Sequence, residues 1–363
     1  MIGGGIAGMS VAGELAGSRA VAVLEREEAL GSHATGRSAA ALLESYGSAE
    51  VRALTRASRR LLEAADTATP LLTPRPLLWT AEAPHVDAVA DLLAEQPGLR
   101  SISPADARAM CPVLRPETLA AAALEPDAHD IDVAAVLRLY VARASVAGAV
   151  VHRSCRLDRA ERANGRWVLH HASGALRAEV VVNAAGAWAD EVAMLLGAAP
   201  CGLRPLRRTI AVARTRQPVS PAWPLVAAVD DAFYFRPEGP HVLISPADET
   251  PSPPCDARPD ESDVALAIER VNRVSDLRIR SVVTTWAGLR TFTADRNPVV
   301  GFDAHVPGLF WLAGQGGFGI QTAPALARLA AALLRDDPGS AASLGVDPAD
   351  LSPARAALAE QNS

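Results

Sequence analysis

Gly3, Gly5 and Gly8 stand in G-x-G-x-x-G spacing within Met1-Ile2-Gly3-Gly4-Gly5-Ile6-Ala7-Gly8, and an acid, Glu25, follows 17 positions after Gly8 at the end of an apolar stretch. Glycines so spaced permit a tight turn and close backbone approach. The helix start that follows attracts a pyrophosphate, and the acid accepts from ribose hydroxyls. The chemistry implied is the holding of a dinucleotide. Glu25 would repel a 2′-phosphate, which favours a cofactor with a free ribose diol over NADP. Two residues stand ahead of Gly3, so the first strand of the unit is expected to be truncated, and an apolar segment of roughly five or six Val/Ile-type residues before Gly3 is its expected complement.

Three further segments offer polar or small groups for such a ligand. Gly31 to Ala40 follows the acid closely and supplies Arg37, Ser38 and several backbone N–H groups. Asn183-Ala184-Ala185-Gly186 ends an apolar strand on small residues, so Ala185 and Gly186 leave room for a ligand beside the backbone. Trp286 to Gly301 is followed by the glycine loop Gly314-Gln315-Gly316-Gly317-Phe318-Gly319 and an Ala/Leu helix from about Gln321 to Arg335, whose start would stabilise negative charge.

The elements that must position these residues read as α/β. Gly8 to Leu15 is expected as a helix, Ala20 to Leu24 as a strand, and Glu50 to Ala65 as a longer helix with arginines outside. Prolines and threonines from Pro70 to Pro76 mark a hand-over to another unit. Alternating patterns in Ala149 to Cys155 and Arg166 to His170, with Asn164-Gly165 between, suggest a hairpin. Pro205 to Thr285 is again strand-like. The expected architecture is a discontinuous Rossmann-like nucleotide-binding domain (1–73, 130–203 and 288–363) carrying an antiparallel-sheet substrate domain (74–129 and 204–287).

The 363 residues, 49% of them apolar, can bury a sizeable core, and a mean hydropathy of +0.13 is inflated by alanine. Arg138, Arg143 and Arg328 interrupt the best candidate spans, so no transmembrane segment is expected. A net charge of -6 without basic runs argues against nucleic acid and for a small-molecule partner. Cys111, Cys155, Cys201 and Cys255 lie far apart and make no metal-type pair; free thiols and a cytoplasmic location are expected, peripheral to the membrane if electrons pass to a quinone. Asp127, His129, Asp130 and Asp132 crowd one segment, but a capped helix start before Val133 accounts for them better than a metal.

In these motifs the chain resembles the D-amino-acid oxidase superfamily of FAD enzymes, and within it the D-arginine dehydrogenase and D-amino-acid dehydrogenase branch; the resemblance runs along essentially the whole chain. It implies non-covalently held FAD, with His33 a polar loop residue. It implies Glu25 on the adenosine ribose, and Arg37 and Ser38 near pyrophosphate and flavin. Arg208, Tyr234 and Arg290 resemble the substrate-carboxylate ligands, and Tyr46 a further active-site tyrosine. The Gly317 carbonyl resembles the acceptor for the substrate amine, with Gly316 and Gln321 beside the flavin. Leu77 stands where the D-arginine enzyme has a glutamate that receives the guanidinium, and Ala41 and Leu43 replace its histidine and threonine. A cation there would lose both partner and water. The activity implied is oxidative deamination of an apolar or neutral D-amino acid to a 2-oxo acid and ammonia, by hydride transfer from Cα to flavin N5. The electron acceptor is open between oxygen, a quinone and an electron-transfer protein. A glycine/sarcosine-type amine oxidase and a degenerate, non-catalytic flavoprotein are the rival readings.

Overall fold

A computed structural model describes residues 1–359. Its first sheet is that of a nucleotide-binding unit. Val150–His152 pairs parallel with Ala22–Leu24, and Val181–Asn183 pairs parallel with Leu309–Ala313, which carries Val299–Phe302 antiparallel at its outer edge. Met1 to Gly3 fill the gap between the two halves. Ile2 bridges Leu24 on one side and Asn183 on the other, through Gly3 N–H to Leu24 O at 2.8 Å and Ala184 N–H to Ile2 O at 2.9 Å. The central strand position is thus held by a stub, enough to close the sheet where the glycine turn begins.

Helices cover this sheet. Ile6–Leu15 packs against Val133–Val146 and Gly319–Arg335, and Ala49–Glu63 packs against Gly319–Arg335. Their shared core joins Val11, Leu54, Phe310 and Leu312 to the alanine face of the last helix. Two of these starts have a local cause: Ser48 accepts from Val51 N–H, and Asp132 accepts from Ala135 N–H, the capped start expected before Val133.

The second sheet has ten strands. Its spatial order is Gln315–Gly316, Ser281–Phe292, Arg204–Arg214, His241–Ser245, Tyr234–Glu238, Leu225–Ala228, Leu77–Ala81, Ala121–Glu125, Arg100–Ile102, with Thr250–Pro251 paired to Arg204–Arg214. Every pairing is antiparallel except that of Leu225–Ala228 with Leu77–Ala81. Alternation sends Leu78, Val226, Phe235 and Ile244 into a core that also takes residues of Glu261–Val274, while Trp79, Ala227 and Tyr234 point the other way. That second face looks onto the cavity described below.

The expected hairpin needs a correction. Arg166–His171 pairs with Arg159–Ala163 across Asn164 (φ 53) and Gly165 (φ 76), and Val150–His152 instead forms the parallel edge strand of the first sheet. The turn dipeptide was legible, but the strand feeding it carries charged residues on an exposed edge and so lacks an alternating signature. Residues 360–363, included in the expected 288–363 segment, lie outside the described residues. None of the described helices is long and apolar enough to cross a membrane.

Candidate active site

A cavity of about 580 Å3 runs from the glycine turn to the face of the second sheet. At its nucleotide end lie Gly3, Gly5, Glu25, Arg37, Ser38, Ala185 and Gly186. Gly3 has φ +107, and a Cβ there would sit 2.4 Å from Ala184 O. Gly8 does not line the cavity; its missing Cβ lets the helix approach the turn, since that atom would meet Gly3 O at 2.0 Å. Glu25 is buried and accepts from Gly4 N–H at 2.6 Å and Glu27 N–H at 2.8 Å, which fixes the acid under the turn. Thr35 Oγ1 accepts from Ile6 N–H at 3.0 Å, serving a helix whose own N-cap, Gly5, has no side chain to do so. A turn that tolerates no side chain, a helix start and a fixed acid fit a dinucleotide.

Arg37 is occupied in a different way. Its guanidinium donates to Ala257 O at 2.8 Å and Ala287 O at 3.1 Å and pairs with Asp256, clipping the Gly31–Ala40 loop to the second sheet. Ser38 Oγ accepts from Ala40 N–H. His33 Nε2 lies 2.9 Å from Glu27 Oε1, its ring tilted against Trp188.

At the other end the cavity wall brings together Arg208, Arg290, Tyr46, Tyr234, Gly316, Gly317 and Gln321. Arg208 and Arg290 lie on neighbouring strands, Arg204–Arg214 and Ser281–Phe292. Two adjacent guanidinium groups repel one another, and a carboxylate outside the cavity lining holds them. Glu249 Oε1 is 3.5 Å from Arg208 Nη2, 3.4 Å from Arg290 Nη1 and 2.6 Å from Arg296 Nη2. Its partial burial opposes ionisation, yet Arg296, Arg290 and Arg208 together bring the carboxyl below its ordinary range. Burial likewise opposes the charge on Arg290, but Tyr46, Tyr234 and Glu249 outweigh it and the guanidinium is held charged. Arg290 Nη2 reaches the Tyr46 hydroxyl at 3.5 Å. Gln321 ties down the Tyr46 loop, accepting from Leu43 N–H at 3.2 Å and donating to Thr55 Oγ1 at 2.9 Å.

Ala41, Leu43, Trp79, Ile210, Leu225 and Ala227 give the remaining wall an apolar stretch. Leu77, expected among them, is fully buried, packs in one cluster with Trp79 and Leu225, and does not line the cavity. Four residues that sequence reasoning missed belong to the site. Thr35 and Glu249 serve it from loops remote in sequence, and Asp231 and Arg236 line the cavity beside Tyr234. Arg236 shares a strand face with Tyr234, a period-2 signal that was available in the sequence.

Comparison with known proteins bears on this arrangement. A family model described as DAO, FAD dependent oxidoreductase, matches residues 1–333. FAD-dependent oxidoreductase domain-containing protein 1 of Xenopus laevis is 32% identical over 185 residues, 45% of this chain; the match spans 36% of that relative's length. Glycine oxidase from Geobacillus kaustophilus superposes with a TM-score of 0.85 at 24% identity, covering 98% of this chain and 97% of that one. L-proline dehydrogenase from P. horikoshii superposes with a TM-score of 0.82 at 20% identity and 92% coverage of each. At these identities the likeness to the two enzymes is one of fold.

Proposed function

The chain belongs to the DAO family of FAD-dependent oxidoreductases, and from that premise we propose that it oxidatively deaminates D-amino acids whose side chain carries no positive charge. Its sequence motifs resemble those of the D-arginine dehydrogenase branch, with Leu77 in place of that branch's acidic receptor. The observation that carries the proposal is that Arg208, Arg290, Tyr46, Tyr234 and Gly317 line the same cavity that begins at the glycine turn.

When bound, FAD would supply a two-electron acceptor for a hydride from Cα, the amine would give up a proton to solvent, and the imino acid would hydrolyse to a 2-oxo acid and ammonia. The chain's own work is binding and orientation. Gly3, Gly5 and Glu25 would hold the nucleotide's pyrophosphate and ribose. Arg208 and Arg290 would take the substrate carboxylate, a task suited to planar, permanently charged forks. The Gly317 carbonyl would accept from the amine, fixing which face of Cα is presented. No side-chain base is needed once the amine is neutral. Ala41, Leu43, Trp79, Leu225 and Ala227 surround the side chain and exclude water.

Anaerobic flavin bleaching by a panel of D- and L-amino acids, glycine and sarcosine tests the proposal. Bleaching by neutral D-amino acids, with their L-forms and D-Arg slower, is the expected result. Preference for glycine or sarcosine would turn the assignment to a small-amine oxidase, and no bleaching by any of them would remove the catalytic role.

A further inference from the structure

Asp231 is a cavity residue to which the proposed reaction gives no task. It sits in the turn between Leu225–Ala228 and Tyr234–Glu238, at φ 55, its N–H donating to Ala228 O at 3.1 Å. The preceding Asp230 turns to His85, 3.3 Å away. The Asp231 carboxyl, by contrast, has no hydrogen-bond or ion-pair partner among the described residues. It belongs to an exposed residue that lines the main cavity, and the charges it feels are those of the carboxylate clamp: Arg208 and Arg290, then Glu249 and Arg296. A group in a cavity wall is open to an occupant and crowded by protein at once. That crowding raises the carboxyl above its ordinary value of 3.8, against the pull of Arg208 and Arg290.

The other charges of the cavity show what an unpaired carboxylate does there. Six arginines line it. Four have a carboxylate of their own: Arg26 with Glu27 at 2.9 Å, Arg37 with Asp256, Arg156 with Asp158 at 3.4 Å, and Arg236 with Glu238 at 2.9 Å. The other two, Arg208 and Arg290, share Glu249 with Arg296. Three guanidinium groups set against Glu249 alone would leave two positive charges in excess, and Asp231 reduces the excess to one. A single substrate carboxylate cancels it. A second carboxylate would find each remaining arginine of the wall already paired, and it would lie in the repelling field of Asp231. We propose that Asp231 is a specificity residue that limits the clamp to substrates with one carboxylate, so that D-amino acids with an acidic side chain are rejected. Side chains of either charge are then excluded, and the accepted class is the neutral one.

This inference rests on the reading of the site as an amino-acid oxidoreductase. The holoenzyme is assayed at about pH 8, where carboxylates are ionised, with the near-isosteric pairs D-Asn and D-Asp, and D-Gln and D-Glu. The quantity compared is kcat/KM for flavin reduction, in the parent and in Asp231→Asn, a residue that tolerates the left-handed backbone of this turn. Each amide should exceed its acid by roughly tenfold or more in the parent, and the ratio should fall by roughly tenfold in the variant, through faster reaction of the acid. Perturbation of the flavin absorbance by succinamate and by succinate gives a readout without turnover: the monoanion should bind more tightly to the parent, and the preference should be lost in Asp231→Asn. A purely structural role would slow amide and acid together and leave both ratios in place. Should the asparagine variant fail to retain FAD, Asp231→Gly, which also suits the backbone, should show the same fall. Acids that match or exceed their amides in the parent, or ratios indifferent to residue 231, would overturn the inference alone. Bleaching by no amino acid, D-Leu and D-Met included, would overturn it together with the function on which it rests.

Discussion

Gly317 leaves open the space that Arg290 uses: a Cβ there would lie 1.7 Å from Arg290 Nη2 and 2.2 Å from Cζ. The backbone of Gly317 is not in the left-handed region, so alanine strains nothing but the guanidinium, and that group is the movable end of a long side chain. Gly317→Ala should therefore cost little stability and much function. Losing one charge-assisted contact to the substrate is worth about 1.5–3 kcal/mol, or roughly 10- to 150-fold in kcat/KM. Flavin content and melting temperature should stay near those of the parent while anaerobic reduction slows. A variant reduced at the parental rate would take Arg290 out of the carboxylate clamp. Glu249 gives a prediction in pH. Its folded carboxyl is held below the ordinary value of 4.5, so the stability it contributes is full above that value and is lost as pH falls through the depressed one. The stability gap between the parent and Glu249→Gln should accordingly be constant near neutrality and narrow below about pH 4.5 in urea titrations. A gap independent of pH would mean that the carboxylate adds no net charge stabilisation.

The loop that supplies Leu43 and Tyr46 has no regular structure beyond the two-residue strand Ala41–Leu42, and a carboxyl from the second sheet helps Gln321 to pin it. Glu125 Oε1 accepts from Glu44 N–H at 2.6 Å and Ser45 N–H at 3.3 Å, while Ser45 Oγ donates to Oε2 and accepts from Trp79 Nε1 at 3.2 Å. Glu125→Ala would orphan two backbone donors and should destabilise by about 2–3 kcal/mol, with a loss of activity as Tyr46 drifts. Glu125→Gln keeps an acceptor and should restore both. Burial raises the Glu125 carboxyl above 4.5, more than Ser45 and the two backbone donors lower it, so the folded protein binds that proton more tightly than the unfolded chain. Its titration should therefore lower stability as pH rises from about 4.5 to the raised value, and Glu125→Gln should remove that slope. None of this was visible in the sequence. The glycine turn, Glu25 and the capped start at Asp132 could be read because each depends on residues close in the chain. Glu125 and Glu249 act on residues 80 and 41 positions away, and no local pattern encodes such a pairing. Leu77 was expected at the pocket through the resemblance alone, and only its packing with Trp79 and Leu225 shows that it is covered.

At the scale of the molecule, two sheets share one cavity, and specific contacts join them. The Arg37 clip to Asp256, Ala257 and Ala287 is one; Trp286 Nε1, which donates to Arg37 O at 3.1 Å, is another. The α/β class and the inserted antiparallel sheet could be inferred from alternating segments of different period, whereas the order of the strands and the parallel join of Leu77–Ala81 to Leu225–Ala228 could not, since nothing local specifies a partner 148 residues away. The shared cavity makes a prediction about cofactor removal. Residues from both sheets line it, from Gly3 and Glu25 to Arg208 and Gly316, so FAD should stabilise both together. At a free concentration 100 times Kd, a ligand adds about 2.7 kcal/mol. With an unfolding entropy near 2.1 cal/mol/K per residue, that corresponds to roughly 3–4 °C for a chain of this length. Stripping FAD should lower the melting temperature by about that amount, and adding it back should restore a single transition. In Arg37→Ala, with the clip removed, the cofactor-free protein should melt in two steps that FAD draws together. If FAD instead moved only one of the two steps, the nucleotide would be held by the first sheet alone, and the cavity would not couple the two.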